Sequence, residues 1–162
     1  EVGHIFYFGT KYSAPMKAEV TGQEGKNAPV EMGSYGIGVS RLVGAIIEAS
    51  HDEKGVIWPA AVAPFEVAVV SLRSDDADVT KVCESAYEQL INAGVDALYD
   101  DTAERPGAKF STMELIGVPE LIVVGPKGVK AGVVEFRNRK TGSSEEMTLE
   151  AAIKRCLASK GA

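Results

Sequence analysis

The first third of the chain has the apolar pattern of two strands followed by one helix. Strands are predicted over residues 4–12 (HIFYFGTKY) and 32–38, and the glycine-rich stretch TGQEGKNAP between them indicates turns. Beyond the second strand, apolar residues recur at the spacing of one helical face: Val39, Leu42, Val43, Ile46 and Ile47. Two strands and a helix form a poor core. Because the chain also begins at Glu1 without a methionine, we expect this part to be the tail of a larger domain.

Strands alternate with helices in the remaining sequence. Apolar runs predict strands over residues 65–72, 95–100, 121–125 and 133–139, and helical periodicity predicts helices over 78–93, 110–116 and 149–158. The first of these helices is expected to direct six residues inward: Val79, Val82, Cys83, Ala86, Leu90 and Ile91. This alternation is typical of an α/β fold around a mostly parallel or mixed sheet.

The segment GVIWPAAVAPF separates the two patterns. Pro59 and Pro64 stand among small apolar residues, as expected for a connection that leaves one core and enters another. We therefore predict two domains, over residues 1–60 and 61–162.

Composition narrows the class of protein. A chain of 162 residues with 45% apolar and 25% charged residues can form one sizeable core, or one domain plus a fragment. No apolar run approaches the roughly 18 residues of a membrane span, and the N-terminus lacks signal-peptide features, so a cytoplasmic location is expected. Cys83 and Cys156 have no CxxC spacing and are expected to be buried apolar groups, and no metal site is predicted.

Charge is unevenly distributed along the chain. The net charge is −6, but residues 105–140 hold seven Lys and Arg against three Asp and Glu. Such a basic segment is compatible with contact to a polyanion through one face, and equally with solvated loop charges.

A glycine-rich strand leads directly into a helix with an arginine in its first turn. The sequence MGSYGIGVSRL contains Gly33, Gly36 and Gly38, which leave space above the strand, followed by Arg41. A cation at a helix start is mildly unfavourable unless an anion lies opposite, so this stretch predicts a phosphate site. A dinucleotide-binding oxidoreductase is disfavoured because Arg41 replaces the third glycine of GxGxxG.

This stretch resembles the third signature motif of class II aminoacyl-tRNA synthetases. Together with HIFYFGTKYS, GVIWPAAVAPF and DDTAERPGAKFSTMELIGVPELIVVG, it is similar to the bacterial-type prolyl-tRNA synthetase family along almost the whole chain. The resemblance implies an α/β anticodon-binding domain with a mixed, helix-flanked sheet. The strands and helix that end an antiparallel class II catalytic sheet would precede it.

The activity implied by this resemblance is activation of L-proline with ATP and Mg²⁺, followed by transfer of the prolyl group to tRNA(Pro). A cytoplasmic homodimer is implied as well, without membrane or DNA partners. The family's first two motifs are not in these residues, so the chain alone is expected to be inactive. Ser40 stands where many class II enzymes have an acidic residue, which fits the prolyl branch.

The resemblance also implies roles for individual residues. Arg41 would contact ATP as the catalytic arginine. The nucleotide would also be bordered by Gly38, Glu1 and His4, and proline by Phe6, Ser34 and Gly36.

The segment ERPGAKF and the helix after it would contribute to anticodon recognition. The implied tRNA contacts are Glu104, Arg105, Lys109, Phe110 and Glu114. Phe110 is equally compatible with a core position, and Pro106-Gly107 explains part of the segment as a turn. The alternative to an enzyme is a stand-alone, non-catalytic RNA-binding or subunit-interaction module derived from an anticodon-binding domain.

Overall fold

The computed structural model describes residues 1–159 and contains two compact units. The first unit is Glu1–Ile46 and the second begins at Ile47. This division separates compact units, whereas the boundary predicted near residue 60 separates two families of domain. That predicted boundary therefore stays a prediction.

The first unit is a thin, open structure. Strand β1 (Gly3–Gly9) pairs antiparallel with β4 (Met32–Ile37), and between them lie a one-turn helix α1 (Ser13–Met16) and the small hairpin of β2 (Glu19–Thr21) and β3 (Asn27–Pro29). Helix α2 (Val39–Ala49) follows β4 and crosses the division between the units. Ser13 is the single buried side chain within residues 1–46, so both faces of the β1–β4 pair are largely open.

After the end of α2, the second unit continues with a hairpin of β5 (His51–Asp52) and β6 (Gly55–Val56) and a short 3-10 helix (Ala60–Val62). Its strands are β7 (Val67–Ser71), β8 (Ala97–Asp100), β9 (Glu120–Val124), β10 (Val134–Asn138) and β11 (Ser144–Met147). Its helices are α3 (Ala77–Asn92), α4 (Pro106–Ile116), α5 (Pro126–Ala131) and α6 (Leu149–Ser159).

These five strands form one sheet in the order β11-β10-β9-β7-β8. Strand β7 lies parallel to both β8 and β9, whereas β10 is antiparallel to β9 and to β11. The predicted α/β fold with a mixed sheet is confirmed.

The sheet is covered on both faces, which explains the continuous apolar run of β7. Val67 and Val69 pack with residues of α3 and α6, while Ala68 and Val70 pack with Met113 of α4. Because successive strand residues point to opposite faces, β7 contributes to both halves of the core.

Several sequence predictions need correction. Ile91 was expected to face inward but is 43% exposed, because the inward row of α3 runs through Val79, Cys83, Ala86 and Leu90. Helix α4 begins at Pro106 rather than at residue 110, since proline lacks the N–H that a first helical residue leaves unbonded anyway. Helix α5, strand β11 and the β5–β6 hairpin were not predicted.

Both cysteines are free and buried, as predicted. Burial raises the pKa of Cys83 to about 11 and that of Cys156 to about 12, so neither thiol is a reactive thiolate at neutral pH. Within residues 1–159, no helix has the length and apolar character needed to cross a lipid bilayer.

Candidate functional site

The β1–β4 pair gathers predicted site residues on one of its faces. In the register, His4 is opposite Gly36 and Phe6 is opposite Ser34. Directly opposed residues of antiparallel strands point to the same side, so these four share one face. A Cβ added to Gly36 would lie 3.9 Å from the Phe6 ring, so the absence of a side chain at Gly36 leaves space beside this aromatic ring.

The same face continues to the N-terminus and to the start of α2. The rings of His4 and Phe6 stack with centroids 4.4 Å apart, and His4 Nδ1 lies 2.7 Å from Glu1 Oε1. Arg41, the third residue of α2, donates from Nη1 to the Glu1 carbonyl oxygen at 3.1 Å. Contacts therefore link Arg41, Glu1, His4 and Phe6 in one continuous row.

This row has groups suited to a planar anionic ligand. Arg41 is exposed and brings a guanidinium, and Phe6, a residue that is 45% exposed, brings an aromatic ring. A Cβ added to Gly38 would lie only 3.1 Å from the Arg41 Cβ, so glycine lets the arginine side chain lie close to the strand end. A guanidinium binds phosphate well, and an aromatic face stacks on flat rings.

A second candidate site is a groove of about 370 Å³ in the second unit. It lies between α4 and the turn that joins β10 to β11, and the β5–β6 hairpin forms another wall. Its charged lining residues are Asp52, Lys54, Glu114, Arg137, Arg139 and Lys140. Cations outnumber anions, which is the composition expected of a surface that binds RNA.

Arg137 lies over the ring of Phe110 in this groove. The guanidinium carbon lies 4.0 Å from the ring centroid, and Nε donates to Glu135 Oε1 at 2.8 Å. The Ser144 hydroxyl donates to the same carboxylate oxygen. Burial acts to raise the pKa of Glu135, but the hydrogen bonds from Arg137 and Ser144 outweigh it, so this pKa is lowered and the carboxylate stays charged. Arg137 is thus pre-oriented while its side chain remains 36% exposed.

Arg139 has a structural role. Its side chain is 6% exposed, and it donates from Nη2 to Asp52 Oδ1 at 2.6 Å and from Nη1 to Asp52 Oδ2 at 2.8 Å. The hydrogen bonds from Arg139 hold the pKa of Asp52 well below its usual range. This paired contact fastens the β5–β6 hairpin to the end of β10.

The hairpin and the linker after it also attach to α4. Lys54 Nζ lies 3.2 Å from Glu114 Oε1, and Trp58 Nε1 donates to the Ile116 carbonyl oxygen at 2.7 Å. A Cβ on Gly55 would lie 2.4 Å from the Glu114 carbonyl oxygen, and one on Gly117 would lie 2.5 Å from the Val56 carbonyl oxygen. Only glycine allows these backbones to approach so closely.

The predicted tRNA-binding residues have different surroundings. Glu104 and Arg105 are exposed in the loop before α4, whereas Phe110 is half-buried under Arg137 and Glu114 is paired with Lys54. The side chain of Lys109, another predicted tRNA contact, does not project from the surface, because this residue is 2% exposed. Its Nζ lies 3.1 Å from Asp100 Oδ1, so the ammonium group has an internal partner.

The sequence pattern did not predict Arg137, Lys140 and Lys54 as groove residues. A signal for Arg137 was present, because the strand sequence VVEFRNR sets Arg137 and Arg139 two positions apart and therefore on one face. That Phe110 lies beneath Arg137 could not be read from the sequence, since 27 positions separate the two residues.

The second unit, with its mixed sheet and its basic groove, has the features of an RNA-binding domain. The family model described as "Anticodon binding domain" matches residues 66–159, and the chain belongs to this family.

Named relatives extend the similarity across both units. Proteins named "Proline--tRNA ligase" from Parvibaculum lavamentivorans and Caulobacter sp. strain K31 are each 63% identical to this chain over 153 residues, 94% of the chain. The protein of that name from Agrobacterium fabrum is 60% identical over 157 residues, 97% of the chain. These matches cover 35%, 34% and 36% of the respective relatives, so the chain spans about a third of their length. The resemblance to the prolyl-tRNA synthetase family is confirmed.

Proposed function

We propose that this chain is part of a cytoplasmic, homodimeric prolyl-tRNA synthetase, which activates L-proline with ATP and transfers it to tRNA(Pro). The observation that carries the proposal is the 63% identity to proteins named Proline--tRNA ligase over 94% of the chain. Residues 1–60 would belong to the catalytic domain and residues 61–162 would be the anticodon-binding domain.

In the catalytic part, ATP would enter as its Mg²⁺ complex and lie along the row of Glu1, His4 and Arg41. Arg41 would bind phosphate through its guanidinium, and Gly38 would leave room beside it. The stacked rings of His4 and Phe6 and their opposed residues Gly36 and Ser34 support this proposal. Phe6, Ser34 and Gly36 would border the pyrrolidine ring of proline, for which small side chains leave space.

The chemical role proposed for Arg41 is stabilisation of charge on the phosphates as the adenylate forms. A charge-assisted contact of this kind is worth several kcal/mol when water is excluded from the site. The family's first two motifs are not in this sequence, so the chain alone would not complete that site.

The first experiment measures proline-dependent exchange of pyrophosphate into ATP. The longer protein that contains this chain should catalyse the exchange, and the 162-residue chain should not. In the longer protein, Arg41→Ala should reduce the exchange rate by at least about 100-fold, or roughly 3 kcal/mol. Arg73→Ala is the matched control, because Arg73 is an exposed arginine paired with its neighbour Asp75. Unchanged exchange in the Arg41 variant would remove this residue from the proposed site.

In the anticodon-binding part, the groove between α4 and β10 would receive bases of the anticodon loop. Arg105 and Arg137 would donate hydrogen bonds to guanine edges, and Glu104 and Glu114 would accept them from base amino groups. Phe110 would act mainly through Arg137, whose guanidinium covers its ring. Lys54 and Lys140 line the groove and would bind phosphates.

The second experiment compares binding of tRNA(Pro) with binding of the same tRNA carrying altered anticodon guanines. Arg105→Ala or Arg137→Ala should weaken cognate binding by about 1–3 kcal/mol and leave binding of the altered tRNA unchanged. Lys140→Ala should weaken both equally and flatten the salt dependence, by roughly 0.7 in the logarithmic slope for each lost phosphate contact. Lys81→Ala is the control, because Lys81 is an exposed lysine on α3. If the native chain binds both tRNAs equally, anticodon recognition by this domain is refuted.

A further inference from the structure

The buried ion pair of Asp100 and Lys109 is unusual within this small domain. The Lys109 side chain is 1% exposed and that of Asp100 is 7% exposed. Lys109 Nζ lies 3.1 Å from Asp100 Oδ1 and 3.3 Å from the Asp100 carbonyl oxygen. Apolar residues of similar volume often replace such a pair without loss of stability, so stability alone does not account for it.

The pair stands at the two ends of one exposed loop. Asp100 is the last residue of β8, and Lys109 is the fourth residue of α4. Between β8 and α4 lie residues 101–105, all exposed, including Glu104 and Arg105. The ion pair therefore ties the strand end directly to the helix that follows the loop.

The Asp100 carboxylate also organises the loop from within. Its Oδ1 accepts hydrogen bonds from the Thr102 backbone N–H at 3.1 Å and from the Thr102 hydroxyl at 2.7 Å. With the bond from Lys109, three donors converge on this one oxygen. A hydrophobic pair at these positions would fill the space but would make none of these bonds.

We propose that Asp100 and Lys109 are positioning residues that hold residues 101–105 in one conformation, so that Glu104 and Arg105 face the anticodon already ordered. This inference rests on the proposed anticodon recognition. An exposed loop that must become ordered on binding lowers affinity, and a loop fixed in advance avoids that loss.

The test uses the whole chain with both charges replaced, as Asp100→Leu/Lys109→Met. This variant removes the ion pair of Asp100 and Lys109 without leaving a buried charge unpaired. Its thermal unfolding midpoint should therefore stay close to that of the native chain. Thr102→Val is a milder variant that removes only the hydroxyl bond to Asp100. Lys81→Met makes the same chemical change at an exposed position and is the matched control.

Two measurements are made on each variant. Hydrogen exchange of the amides of residues 101–105 should become faster in the double variant, and to a smaller degree in Thr102→Val. Affinity for cognate tRNA(Pro) should fall roughly tenfold, comparable to weakening one base contact, while affinity for the anticodon-altered tRNA stays unchanged. Lys81→Met should change neither measurement.

The outcomes separate this inference from the proposed function. If the native chain does not distinguish the two tRNAs, the proposed anticodon recognition is refuted, and the positioning role of Asp100 and Lys109 is refuted with it. If the native chain distinguishes them and the double variant does so equally well, the positioning role is overturned. An equal loss of affinity for both tRNAs, accompanied by a lower thermal midpoint, would mean that the pair serves folding only. If the double variant does not fold, Thr102→Val decides: unchanged exchange or unchanged discrimination overturns the inference.

Discussion

Arg41 and Lys109 are both cations near the start of a helix, yet their surroundings differ completely. Arg41 is the third residue of α2, is exposed, and donates to the carbonyl oxygen of Glu1. Lys109 is the fourth residue of α4, is 2% exposed, and is paired with Asp100. A cation at a helix start indicates a nearby anion or carbonyl partner. It does not indicate whether that partner is a ligand or belongs to the protein.

The difference follows from the number of layers around each helix. In the first unit the β1–β4 pair has no covering layer among residues 1–46, and Ser13 is the only buried side chain there. In the second unit the sheet has core residues on both faces. A long side chain at the start of α4 therefore contacts the end of strand β8, whereas one at the start of α2 is exposed to solvent.

The largest expected effect comes from replacing these two cations in turn. Lys109→Met should lower the free energy of unfolding by about 3–5 kcal/mol, because it leaves the Asp100 carboxylate buried without its cation. Arg41→Met should change it by no more than about 0.5 kcal/mol, as expected for an exposed position. Urea unfolding followed by circular dichroism measures both values. Similar losses for the two variants would contradict the contrast drawn between the units.

Substitution of one glycine in each helix tests the same difference between the two helices, with a smaller expected change in stability. Gly117 has a φ of 81° and ends α4 against the Val56 carbonyl oxygen, so Gly117→Ala should cost about 1–3 kcal/mol. Gly44 lies inside α2 with nothing within 4 Å of an added Cβ, so Gly44→Ala should stabilise the helix by up to about 1 kcal/mol. The two urea midpoints should move in opposite directions. A loss of stability in Gly44→Ala would mean that the first unit is packed more tightly than described.

The smallest expected effect concerns a carboxylate on the surface of the second unit. Because Arg139 holds the pKa of Asp52 below its usual range, the carboxylate stabilises the fold above the unfolded-state pKa, about 3.9. This contribution is lost as the pH falls through the lower pKa of the folded state. In Asp52→Asn the unfolding midpoint should be reduced at pH 6, and its difference from the native midpoint should shrink below about pH 4.

The control for this titration is Glu53→Gln, at the neighbouring exposed position in the hairpin turn. A difference between native chain and Asp52→Asn that stays constant down to pH 2 would show that the ion pair with Arg139 does not contribute to stability.

Features that depend on neighbouring residues could be predicted from the amino-acid sequence alone. Apolar periodicity predicted β7, α3 and α6, because each element must turn its apolar side chains toward a core. The glycines and arginine of MGSYGIGVSRL predicted the open strand face and the cation at the start of α2, since both are set within eleven consecutive residues. The resemblance of the chain to the prolyl-tRNA synthetase family also rested on short motifs of consecutive residues.

Features that join distant residues depended on the tertiary structure. The burial of Lys109 depends on the sheet position of Asp100, and the exposure of Ile91 depends on which side of α3 the sheet occupies. The groove required Phe110 of α4 to lie beneath Arg137 of β10, and the hairpin around Asp52 found its partner in Arg139, 87 positions away. Side-chain type and spacing along the chain limit which contacts can form. Which of them do form depends on how the strands are ordered in the sheet, because that order sets which distant residues meet.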